Sequence, residues 1–155
     1  MTDQSDEPTS AAQELVSFRV AGQKYCVDIM SVREIRGWTQ ATPIPHAPPF
    51  VRGVINLRGA VLPIVDLAAR LGQDPTEPTA RHAIIVVQMK DQLVGVLVES
   101  VSDILSIDGQ NVQPTPEVAS DVDGGFVRGV IALEDEMIRY IDLMKVMPQT
   151  KIKAA

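Results

Sequence analysis

The chain has 155 residues, 45% of them hydrophobic and 22% charged, and a formal net charge of −6. That length suits one domain or two small subdomains leaning on each other, with roughly 68–70% of the unfolded surface buried on folding. No cluster of Lys and Arg marks a nucleic-acid surface, the single Cys26 excludes an internal disulfide, and no apolar run reaches the ~20 residues of a membrane helix.

Residues 1–13 are polar, carry Asp3, Asp6 and Glu7, and read as a disordered tail without the apolar stretch of a secretory signal. With the lone thiol, this points to a reducing, cytoplasmic setting. From Glu14 the pattern turns to strands. LVSFRV and KYCVDI flank Ala21-Gly22-Gln23 and predict a hairpin; Met30–Arg36 reads as a helical turn or bend. TPIPHAPP (42–49) holds four prolines and reads as an extended connector. VRGVINL and AVLPIVDL form a strand pair around Arg58-Gly59, followed by a short helix that Asp66 caps and Gly72 closes. HAIIVVQM and QLVGVLV predict a second hairpin, and residues 109–125 an irregular stretch. The chain has 20 Val and 13 Ile against 10 Leu, which favours strands throughout.

The hexamer FVRGVI occurs twice, at positions 50 and 126. FVRGVINLRGAVLPIVDLAARL (50–71) aligns without gaps on FVRGVIALEDEMIRYIDLMKVM (126–147), with nine identities in 22 positions, and VDIMSVREI (27–35) aligns on VLVESVSDI (96–104). The offset is 76 residues in the first alignment and 69 in the second. Each copy reads hairpin, bend, connector, hairpin, short helix, so the chain is a tandem duplication of a mostly β unit. Short aliphatic strands in this number predict small barrels. A unit of ~70 residues has a marginal core by itself, so two should share an apolar seam with a groove where they meet.

Several residues invite a chemical reading. Asp66 and Asp142 occupy equivalent places, and two converging carboxylates could share a proton. Each, however, precedes a helical segment, DLAARL or DLMKVM, where a capping role accounts for it. His46, His82 and Cys26 lack metal-ligand spacing, and Cys26 reads as a small buried hydrophobe. DVDGG (121–125) resembles the start of a calcium loop but has Ala132 where the twelfth-position Glu belongs. No phosphate-binding glycine motif is present. The informative contrast lies between the copies: NLRG (56–59) in the first is ALED (132–135) in the second. Either Arg58-Gly59 makes the better hairpin turn, or Arg58 serves something beyond folding. Arg52 and Arg128 are kept in both copies and fit an architectural role. Val32, Glu34 and Ile35, with a nearby Trp38 that reads as exposed, form a candidate docking edge, with the inter-barrel seam as the alternative for Val32 and Ile35.

VREIRGW, the proline-rich connector, FVRGVINLRGAVLPIVDL and GVLVESVSDIL together resemble the CheW family of bacterial chemotaxis coupling proteins. The resemblance covers residues 14–147. It implies a mainly β fold of two loose five-stranded SH3-like barrels with short helices and a third apolar core between them. The barrels are expected to be interwoven within residues 14–150, at about 24–80 for one and 14–22 plus 81–147 for the other, with a short tail at 151–155. It implies a non-enzymatic adaptor without cofactor or metal, cytoplasmic and recruited to membrane receptor arrays without insertion. Its implied partners are the regulatory domain of the histidine kinase CheA and the cytoplasmic tip of methyl-accepting chemoreceptors; an alternative is a non-flagellar pathway controlling gliding or a second messenger. Carried over by motif, the implied receptor- or kinase-binding residues are Val32, Glu34, Ile35, Gly53, Arg58, Val98 and Val101. Barrel ends would pair with the kinase's barrels, and a receptor helix would lie in the groove between units.

Overall fold

The computed structural model describes residues 13–89, 91–107, 112–113, 125–133 and 135–146. Expectations for the two tails and for most of DVDGG fall outside these residues. The described chain is mainly β. Its strands are β1 (Gln13–Val20), β2 (Gln23–Asp28), β3 (Val32–Gly37), β4 (Val51–Leu57), β5 (Ala60–Asp66), β6 (Ala83–Met89), β7 (Gln92–Val98), β8 (Ser100–Ile107), β9 (Val112–Gln113), β10 (Val127–Leu133) and β11 (Glu136–Ile141). Two four-residue helices, α1 (Leu67–Arg70) and α2 (Leu143–Val146), follow β5 and β11.

The strands form a five-stranded sheet in the order β3-β6-β7-β5-β4 and a six-stranded sheet in the order β8-β1-β2-β11-β10-β9. The duplication maps one order onto the other. Ile64 pairs with Gly95 across the parallel β5–β7 contact, and Tyr140 pairs with Cys26 across β11–β2, the positions that the offsets of 76 and 69 make equivalent. The bulges repeat as well, between Val51 and Gly53 in β4 and between Val127 and Gly129 in β10. Each half lends its leading hairpin to the other half's sheet.

This exchange corrects the expected split of the chain. β2 was expected in the first barrel and β6–β7 in the second; instead β2 stays with β1 in the six-stranded sheet, and β6–β7 complete the five-stranded one. A hairpin moves as a unit because its strands share the closest ladder. Two further expectations change. Residues 32–36 lie in strand β3, preceded by a 3-10 turn at Ile29–Ser31 that Asp28 caps. Within the stretch expected to be irregular, Val112–Gln113 form a short strand on β10.

The exchange also places three apolar clusters. Ile84, Val86 and Leu97 face inward with Leu62 and Ile64 inside the five-stranded sheet. Leu15, Cys26, Ile131 and Ile138 do the same inside the six-stranded sheet. The alternate residues of the lent hairpins, Val16, Phe18 and Val27 together with Ile85, Val87, Val94 and Val96, meet in a central cluster between the sheets. Strands buried on both faces are apolar at consecutive positions, which is why HAIIVVQM shows no polar alternation.

Both helix starts match expectation. Asp66 accepts from the Ala69 N–H at 3.5 Å, and Asp142 from the Met144 N–H at 3.1 Å. At the end of α1 the N–H groups of Gly72 and Gln73 close onto the carbonyls of Ala69 and Ala68. The connector is pinned to β4 by reciprocal backbone bonds between Thr42 and Val54, at 2.8 and 2.9 Å.

Gly53 lies beneath that pin with φ +141°, and a Cβ there would sit 2.2 Å from the Thr42 carbonyl oxygen. Gly53→Ala is therefore expected to cost about 2–5 kcal/mol of stability, read by urea denaturation, from combined backbone strain and overlap. Cys26 is fully buried, and burial pushes its thiol up to about 12. The native protein should leave a disulfide-exchange reagent unreacted at mildly alkaline pH and titrate its thiol only after denaturation.

Candidate protein-docking site

The first candidate site is built at the tip of the β4–β5 hairpin. Leu57 pairs with Ala60, leaving Arg58 and Gly59 as a two-residue turn with φ of 52° and 88°, and the Asn56 side-chain oxygen accepts from the Gly59 N–H at 2.8 Å. Both positive values suit a type I′ turn, which matches the twist of the flanking strands. Asn56 and Gly59 therefore serve the hairpin, as the turn reading expects. Arg58 does not need to: a side chain at positive φ is disfavoured, and this one projects outward with 69% of its side chain exposed.

Its guanidinium donates from Nη2 to Oε1 of Glu34 on β3, and Arg36 Nη1 donates to the other carboxylate oxygen at 3.3 Å. β3 stands at the opposite end of the sheet order from β4, so the pair ties one edge of the sheet to the far hairpin. Arg52 over the Trp38 ring, at 5.7 Å, makes a second such tie. The five-stranded sheet thus curls toward closure, consistent with a barrel. The Arg58 hydrogen bond is the main cause holding the Glu34 carboxyl below the usual carboxylate range, with Arg36 adding to it and desolvation opposing.

The seven candidate residues divide into three places. Glu34, Ile35 and Arg58 share the end of the five-stranded sheet, where Ile35 is 46% exposed. That exposure overturns the seam alternative for Ile35. Val32 and Val101 pack against the central cluster and pair with Val87 and Phe18 at equivalent registers, so the seam reading holds for Val32. Val98 is 1% exposed within the same cluster and presents no surface. Gly53 is buried under the connector. Trp38, expected on the surface, is half-buried against the cluster around Ile55.

Sequence reasoning missed a set of exposed apolar side chains: Met30, Val61, Ile104, Leu133, Met137 and Met144. The duplication carries the signal. Ile104 is the equivalent of Ile35 and Met137 of Val61, so both copies expose an apolar side chain at these two positions. The charges around them differ. Arg58 and Arg36 flank the first pair, while Asp103, Asp135 and Glu136 accompany the second in sequence.

The twin carboxylates do not converge. Asp66 is buried and spends its oxygens on the Thr76 N–H (2.8 Å), the Thr76 hydroxyl (2.7 Å) and Arg52 (3.3 Å), whereas Asp142 caps its own helix. Arg52 thus fills the expected architectural role through an ion pair, whereas Arg128 lies 5.0 Å over the Tyr140 ring. His82 accepts from the Thr79 N–H at 3.0 Å. Among the described residues no group of His, Cys, Asp or Glu is placed to hold a metal, and no helix is long and apolar enough to cross a membrane.

Two interlocked β halves, each exposing apolar side chains at equivalent positions, have the character of a scaffold domain. The family model of the CheW-like domain matches residues 14–151. The chain belongs to the CheW-like family. It is 56% identical over 155 residues, the whole of both chains, to the Chemotaxis protein CheW of Rhizobium meliloti (strain 1021). It is 55% identical to the Probable chemotaxis protein CheW of Rhizobium etli, over 92% of each chain. Its fold superposes with a TM-score of 0.79 on the crystal structure of the scaffolding protein TtCheW from Thermoanaerobacter tengcongensis, at 32% identity, covering 92% of this chain and 91% of that one.

The electrostatics of the Glu34 site can be checked directly. Because the folded-state value is lowered, the ion pair contributes fully above the ordinary carboxylate range and fades as pH falls through the lowered value. Carboxyl-detected NMR titration should find Glu34 below the ordinary glutamate value, and Arg58→Ala should move it back up without changing the fold.

Proposed function

We propose that this protein is the adaptor that couples transmembrane chemoreceptors to the histidine kinase CheA in a cytoplasmic array, without a reaction of its own. The observation that carries this reading is the Glu34–Arg58 pair. An exposed ion pair adds little to stability, with a median near 0–1 kcal/mol. Yet this one is held on an arginine in a disfavoured backbone conformation, and the second copy replaces it with acidic residues, Asp103 and Glu134, while keeping the strands around them. A feature that folding does not require, presented beside an exposed Ile35, fits a recognition role.

The two ends fit different partners. Their matching apolar pairs supply similar contact surface, and their unlike charges supply orientation, because a partner complementary to Arg58 meets repulsion at the acidic end. Gly53, Val32, Val98 and Val101 support docking indirectly. They fix the connector and the seam against which a receptor helix would lie.

Capture of the purified protein by the CheA regulatory domain and by a receptor-tip fragment tests the reading. Arg58→Ala and Glu34→Ala should each weaken at least one of these complexes by about tenfold while the far-ultraviolet spectrum stays native. The exchange Glu34→Arg with Arg58→Glu should rebuild the internal pair but not the affinity, because the charges facing the partner are swapped. Unaltered capture of both partners by all three variants would refute the site.

A further inference from the structure

We propose that Arg70 is a latch between the two halves, holding them at a fixed angle through the duplicated phenylalanines. The guanidinium of Arg70, the last residue of α1, lies 4.4 Å from the ring centroid of Phe50 and 4.8 Å from that of Phe126. Those residues are the first letters of the two FVRGVI copies, so the cation sits where the copies come together. Its donors reach further into the second half: Nε donates to the Val146 carbonyl at 2.8 Å and Nη2 to the Lys145 carbonyl at 3.2 Å.

The end of α2 explains why this contact exists once and not twice. The last carbonyls of α1 are closed by the chain's own Gly72 and Gln73. Among the described residues, the Lys145 and Val146 carbonyls at the end of α2 are met by Arg70 from the other half. The residue equivalent to Arg70 is Val146, buried in the central cluster, so no reciprocal cation exists at that position.

A planar, multi-donor cation suits this set of four contacts: its charged carbon lies over two rings while its N–H groups donate to two carbonyls, a combination that a compact ammonium reproduces poorly. Phe50 and Phe126 are themselves tied to the helix starts, since their carbonyls accept from the Asp66 and Asp142 N–H groups at 2.7 and 2.8 Å. The latch therefore reaches both strand-to-helix corners.

Amide hydrogen exchange separates this from a general packing role. In Arg70→Gln, the amides of Asp142, Lys145 and Val146 should exchange about tenfold faster or more, while those of Ile84–Val87 and Ile138 keep their protection. Arg70→Lys should behave like Arg70→Gln, because charge alone is not what the rings and carbonyls read. If Arg70→Gln fails to fold, Phe126→Leu preserves the cation and most of the apolar volume and should give the same local pattern. Unchanged rates at Asp142 and Val146, acceleration spread evenly over both sheets, or full rescue by lysine would each overturn the latch.

Discussion

Every level of this structure depends on the two-faced burial of the lent hairpins. β1–β2 and β6–β7 each place alternate side chains in a sheet interior and the others in the central cluster. At about 25 cal/mol per Å² of apolar surface removed from water, a strand buried on both sides contributes roughly twice what a surface strand does. Neither half can keep that gain alone. Without its partner, each sheet would lose its lent hairpin and expose the ladder edges of β5 and β3, or of β11 and β8. The exchange thus turns two marginal units into one body, and the seam between them is core.

This arrangement frees the ends of the sheets. Because stability comes from the middle, the β4–β5 turn and the edge of β3 can hold a positive-φ arginine, an exposed isoleucine and a carboxylate without endangering the fold. The second copy shows the same freedom with other residues. Its strands keep the bulge and the hairpin register, while NLRG has become ALED. Duplication gave both copies exposed apolar side chains at equivalent positions, and divergence in a few turn residues put acidic residues where the first copy has Arg58.

Much of this was legible in the amino-acid sequence, and for stated reasons. Hairpins, caps and helix closures are local, and the residues that encode them (Gly22, Asp66, Gly72) act within a few positions. The duplication was legible through FVRGVI and its constant offsets. β3 was not, because its half-buried positions carry Glu34 and Arg36 while Ile35 is among the exposed ones, an alternation inverted from the usual one. The Glu34 carboxylate finds its partner in Arg58, 24 residues away, a pairing that no local pattern announces. The sheet partners of each hairpin were equally hidden, since a strand apolar on both faces does not say which sheet it joins.

The same reasoning sorts the candidate residues. A motif locates a residue in the chain but not its depth in the fold. Val98 and Ile35 illustrate the two outcomes: both are aliphatic and stand at strand positions near a charged neighbour, yet one is sealed in the central cluster and the other faces solvent. Gly53 shows a third outcome, a position where space rather than chemistry decides, since any side chain meets the Thr42 carbonyl. What these positions share is dependence on one geometry, the relation between connector, seam and hairpin tip. Arg58 stands at the exposed end of that relation, on a turn whose backbone is set by Asn56 and Gly59 and whose direction is set by Glu34. The docking surface we propose would need no cleft, because its specificity would come from holding a few charges and one apolar side chain still on a rigid support.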